Sequence, residues 1–152
     1  MVRKSQTPPR PSFTVTPKYI VTAALSWLVP GAGHWLLGYR IRALILAVTL
    51  LGTFWLGETV LADNWAVTRE VHPIFFGLQV GNGFSAIVAD IVWGVPRHVD
   101  ALGEIKDDLP RYLSLGILLS SISGLLNLLV VLHILDPRTW HEAARKERGE
   151  PS

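Results

Sequence analysis

Four long stretches of this chain contain no Asp, Glu, Lys or Arg, and they limit its fold more than any other feature. A helix needs about 20 apolar residues to cross a hydrocarbon layer of about 30 Å. Tyr19 to Tyr39 offers 21 residues between Lys18 and Arg40. Ala43 to Gly57 offers 15, and Thr59 to Ala62 extend it to Asp63 if Glu58 sits near an interface. Val71 to Ala89 offers 19, weakened by Gly77, Gly81, Gly83, Gln79 and Asn82. Tyr112 to Leu135 offers 24, of which 15 are Leu, Ile or Val. At about −0.5 kcal/mol each, these outweigh its serines, Asn127 and His133. Pro73 and Pro110 stand where helices start, and Pro96 and Pro137 just past where they end. The expectation is an all-α integral membrane protein with about four transmembrane helices.

Composition supports that class. Only 17% of residues are charged and 49% are hydrophobic, whereas soluble domains carry about 25% charged residues. This argues against disorder, nucleic-acid binding and a cytosolic enzyme. The chain has no cysteine, which removes disulfides, thiolate metal sites, iron–sulfur clusters and cysteine nucleophiles. No internal repeat of fixed period is visible. The expected organisation is a basic Pro-rich tail over 1–18, a four-helix transmembrane domain over 19–136 and a basic tail over 137–152. Basic residues ahead of a short apolar stretch ending at Gly31, Ala32 and Gly33 also fit a secretory leader, but the stretch is expected to be retained as the first span. Val99, Leu102, Ile105 and Leu109 recur at near-helical spacing among Asp100, Glu104, Lys106, Asp107 and Asp108. They predict a short amphipathic helix on the membrane surface.

Four crossings place both tails and the loop from Glu58 to Glu70 on one side, with nine basic residues there against five opposite. The positive-inside rule then puts both tails in the cytoplasm, in a multi-pass protein of a bacterial inner membrane. If the first stretch instead breaks at Pro30 to Gly33 and returns, three spans remain and the count is again nine against five. The terminal tyrosines, at aromatic-belt positions, favour four. The tails, each basic residue gaining about 1 kcal/mol near anionic lipid, are expected to meet such lipids. Around Trp140, Glu142 and Lys146 the second tail reads as a short amphipathic helix.

Within the spans, polar and small residues fall in rows. Gln79, Asn82 and Asp90 share a broad face beside Gly77 and Gly81. Gly116, Ser120 and Gly124 recur every four residues, with Ser123 and Asn127 in a neighbouring row. These two faces are expected to pack together, small residues permitting close approach and amides bonding across. His34 sits beside the Pro30 bend and reads as a packing or hydrogen-bonding residue. His72, His98, His133 and His141 form no metal-binding pattern. Adjacent antiparallel spans would put His72 beside His133, a pair able to hold haem. The expectation is nonetheless no cofactor, no metal and no catalytic centre.

The stretch from Pro30 through Gly31-Ala32-Gly33-His34-Trp35 to Tyr39-Arg40-Ile41-Arg42 resembles the two-transmembrane-helix domains and related small bacterial membrane proteins of unknown function. Gly124-Leu-Leu-Asn-Leu-Leu-Val in the last span is similar to an uncharacterised four-helix bacterial family sharing the first motif. The resemblance implies a fold and no reaction. The function expected is therefore non-enzymatic: an accessory or assembly subunit packing its small-residue faces against other membrane subunits. A homo-oligomeric transporter or channel, with Gln79, Asn82, Asp90 and Asn127 lining a path, is the alternative. A redox carrier using His72 and His133 is a third.

Overall fold

The most apolar stretch forms the longest helix. In a computed structural model, which describes residues 17–67, 69, 73–94, 110–136, 138–140 and 149, helix α6 covers Leu113–Leu135. Its 23 residues rise about 34 Å. Helix α3 covers Arg40–Trp55 and continues as a π-helix over Leu56–Leu61. Both are long and apolar enough to cross a membrane. They run antiparallel. Ile45 and Leu46 share a groove with Val130 and His133, Ser123 Oγ donates to Leu50 O at 2.7 Å, and Gly57 lies against Gly116. The bundle thus has an Arg40 end, where α3 starts and α6 finishes, and an Arg111 end.

The first and third stretches are not single helices, which corrects the expectation of four continuous spans. Helix α1, Pro17–Leu28, starts at the Arg40 end, where Tyr19 meets the Trp140 ring at 4.1 Å. It runs antiparallel to α6 as far as Asn127. The chain then turns at Val29 to Gly31, and Gly31 adopts φ +86°, a conformation that glycine alone takes without cost. Pro30, lacking a donor, suits the break. Helix α2, Ala32–Leu36, heads back to the Arg40 end, where Leu37 packs on Ile134 and Ala23.

The third stretch mirrors this from the other end. Helix α4, Pro73–Gln79, runs alongside the first half of α6, Gln79 meeting Ser120 and Gly81 meeting Gly124. A 3-10 turn over Val80–Asn82 and Gly83, at φ +58°, reverse the chain. Helix α5, Phe84–Trp93, returns to the Arg111 end, where Ala86 and Ala89 pack with Phe54 and Val67 and Trp93 meets Trp55 at 5.8 Å. One arrangement, a hairpin and a long helix after it in the chain, therefore occurs twice among the described residues, over 17–61 and over 73–94 with 113–135, the second copy upside down.

Beside its apolar core, the chain buries many polar groups and exposes many large apolar ones. Glu58, Gln79, Asn82, Asn127, Ser26, Ser120 and Ser123 are fully buried, while Ile41, Ile74 and Ile91 are about three-quarters exposed. Water would place these groups the other way round. The expected surface helix over Val99 to Leu109, the tail before Pro17, most of the tail from Pro137, and His72, His98 and His141 lie outside the described residues.

Candidate functional site

The two hairpin tips touch. Trp27 at the end of α1 donates its indole N–H to Val80 O at 3.0 Å, and Gly83 lies so close to Trp27 O and Leu28 Cα that a Cβ there would collide with them. Asn127 of α6 joins both. Its Nδ2 donates to Gly81 O at 2.9 Å and to Trp27 O at 3.2 Å, satisfying one carbonyl from each broken helix. Breaks leave helix-end carbonyls without intrahelical donors. An amide with two N–H groups can supply two of them at once. Both tips carry a Gly-x-Gly pattern, Gly31-Ala32-Gly33 and Gly81-Asn82-Gly83.

Gln79 repeats the device nearer the Arg111 end, donating to Ala66 O at 3.0 Å and Ser120 Oγ at 2.7 Å. Ser120 passes the bond to Gly116 O and Ile117 O. Since both amide nitrogens donate to oxygen acceptors, the oxygen ends are the spare ones. Asn127 Oδ1, Gln79 Oε1 and both amide atoms of Asn82 are buried without a hydrogen-bond partner among the described residues, as is Ser26 Oγ. The junction is a buried polar cluster weighted toward acceptors. It suits a hydrogen-bond donor or a small cation.

The packing that holds this cluster is the one expected from the residue rows. A Cβ on Gly81 would strike Gly124 O, one on Gly124 would strike Leu78 O, and one on Gly116 would lie 2.5 Å from Gly57 O. The small faces of α6 are thus filled from within the chain. Gly52 and Gly77, by contrast, face open space. Asp90, expected on the same polar face, stands apart, 3.6 Å from Arg69 near the Arg111 end.

Two further features escaped sequence reasoning. Glu58 is fully buried, not interfacial, and lies in the π-helix. Its Oε2 accepts the Val67 N–H at 2.9 Å and its backbone O accepts the Asn64 N–H at 2.7 Å, which folds the following loop back over the end of α3. A single acid inside an otherwise charge-free 20-residue window was the available signal. His34, buried, stacks on His133 with ring centroids 5.5 Å apart and planes 13° from parallel. The partner expected for His133 was His72. The premise fails because α4 starts beside the first half of α6, not beside its end. No group of three metal-ligating side chains occurs among the described residues.

A family model matches residues 21–148. The chain belongs to the DUF6677 family, a family of unknown function. No curated protein and no solved structure matches the chain. The DUF6677 match takes in both tips and Asn127, so the junction lies wholly inside the family region.

Proposed function

We propose that the chain is an integral membrane protein whose two long helices cross the bilayer and whose two hairpins re-enter from opposite faces, and that it works as a small transporter or channel with its polar site at the hairpin junction. The observation that carries this is Asn127 joining two helix breaks well inside a crossing helix. Non-helical backbone at membrane depth is tolerated only where protein buries it or where it lines a polar cavity. Paired broken helices in inverted halves are a recurrent way of building a solute site at the bilayer midplane.

Membrane embedding has its own support. Many large apolar side chains face outward, while a set of polar ones is buried beside the apolar core. Of the nine Trp and Tyr residues, Tyr19, Trp35, Tyr39 and Trp140 belong to the Arg40 end and Trp55, Trp65, Trp93 and Tyr112 to the Arg111 end, leaving only Trp27 between. Aromatic residues concentrate at membrane interfaces in this way. Two re-entrant hairpins also change the charge balance. Among the described basic residues, Lys18, Arg40, Arg42 and Arg138 lie at the Arg40 end, against Arg69 and Arg111 at the other. That imbalance supports a cytoplasmic Arg40 end.

The spare acceptors select for solutes that donate hydrogen bonds or carry positive charge: a small neutral donor, ammonium or an alkali cation. Reconstituted liposomes test this with water, urea, glycerol, ammonium, Na⁺ and K⁺ as probes. Flux of one probe above that of protein-free liposomes is expected, with a large loss in Asn127→Leu and Asn82→Ala. Absence of flux for every probe, with the protein recovered in fixed ratio with a larger complex, would instead favour an accessory subunit. That second reading rests on Gly52 and Gly77, the small residues left open for a neighbouring helix.

A further inference from the structure

We infer that the start of α3 is a binding site for one anionic phospholipid, its headgroup held by Arg40 and Arg42 and its two chains laid in the grooves on either side of the helix. This rests on the membrane embedding proposed above and is independent of transport. The headgroup pocket, about 500 Å³, is lined by Gly38, Tyr39, Arg40, Ile41 and Arg42, two of them cationic and none acidic. The first backbone bond of α3 runs from Ala43 N–H to Tyr39 O at 2.9 Å and no side chain caps the helix end. The N–H groups of Arg40, Ile41 and Arg42 therefore lack intrahelical acceptors and add the positive end of the helix dipole. Both guanidinium groups are positioned by aromatic rings, Arg40 5.9 Å from the Trp35 centroid and Arg42 5.2 Å from that of Tyr39.

Two apolar grooves flank the same helix. One, about 270 Å³, passes Trp35, Ala43, Leu44 and Ala47. The other, about 460 Å³, runs between α3 and α6 past Ile45, Leu46, Thr49 and Leu129. From Arg42 in the headgroup pocket to Leu50 at the far end of the wider groove the helix rises about 12 Å, close to the depth of one leaflet. His34, 5% exposed, lines it, and its Nδ1 has no partner among the described residues. Aqueous phosphate would use only the first pocket. A double-chain lipid uses all three, with its charge at the level of the aromatic belt, which is why a lipid is the occupant.

Native mass spectrometry of protein released from nanodiscs tests the site. Incorporation into phosphatidylcholine nanodiscs checks the embedding separately: a chain that stays in aqueous solution overturns the embedding, whatever lipid it binds. From mixed phosphatidylcholine and phosphatidylglycerol nanodiscs, one phosphatidylglycerol is expected to remain bound per chain. Excess inorganic phosphate should leave it in place. The exposed pair Arg40→Gln and Arg42→Gln should weaken retention about thirtyfold, the factor for two basic residues at a lipid surface. Ala47→Phe, which fills the smaller groove and leaves both arginines, should also weaken it. Equal retention of both lipids, displacement by phosphate, or an unchanged double variant would each overturn the proposal.

Discussion

Asn127 holds the two hairpins with one side chain, so its removal exposes how much the junction contributes. Asn127→Leu leaves Trp27 O and Gly81 O without donors and is expected to destabilise the protein by about 1–3 kcal/mol. Thermal unfolding in detergent reads this, and an unchanged midpoint would deny the bridge its role. Gly124→Leu drives a side chain into the Leu78 backbone, which cannot move aside like a flexible side chain, so about 3 kcal/mol or more is expected. Gly77→Leu, facing open space, should change stability by less than about 0.5 kcal/mol. Glu58→Leu strands the Val67 N–H at a cost of about 1–3 kcal/mol, and Glu58→Gln, which still accepts, should restore most of it. At this scale the sequence was informative. Spacing by four identified Gly116, Ser120 and Gly124 as a contact face, because helix geometry alone sets which residues line up. The Glu58 environment was not legible, because spacing cannot tell an acid at an interface from one tucked under its own loop.

At the scale of elements, counting apolar residues finds segments and not their paths. A crossing helix and a hairpin of two half-length helices present the same apolar perimeter and need the same number of residues, so both pass the same window test. The break at Pro30 to Gly33 was offered by its residues, since proline and glycine together disfavour a continuous helix, but the terminal tyrosines argued for an unbroken span. The reversal at Val80 to Gly83 was not legible, because Gly81 and Gly83 also suit close packing within an intact helix. What decides the second break is tertiary: Gly83 fits under Trp27, and Trp27 reaches Val80 O. Gly83→Ala forces a side chain into a positive-φ position and against Trp27 O. Amide hydrogen exchange is then expected to rise together in residues 26–29 and 80–86, while the contact of Gly57 with Gly116 keeps its protection. A rise confined to one hairpin would mean that the tips do not depend on each other.

For the whole molecule, the distinction between four crossings and two crossings with two hairpins is a matter of which loops share a side. Four crossings place Arg69 with the tails and Arg40 opposite. Two crossings reverse both. The absence of cysteine makes single-cysteine labelling clean. Arg40→Cys and Lys18→Cys are expected to react with an impermeant thiol reagent from the same side of sealed vesicles, and Arg69→Cys from the other. Labelling of Arg69→Cys and Lys18→Cys from one side would restore four crossings. The antiparallel repeat also carries a consequence for biogenesis. The Trp27 carbonyl waits for a donor 100 residues downstream, so the first hairpin leaves the ribosome with that group unsatisfied and stays so until α6 is made. A nascent chain ending before Asn127 holds two hairpins joined only by the Trp27 indole on Val80 O and the fit of Gly83 under Trp27. Synthesis of α6 is therefore the step that commits the first hairpin, which makes it the moment at which the two hairpins and the two long helices become a single folded body.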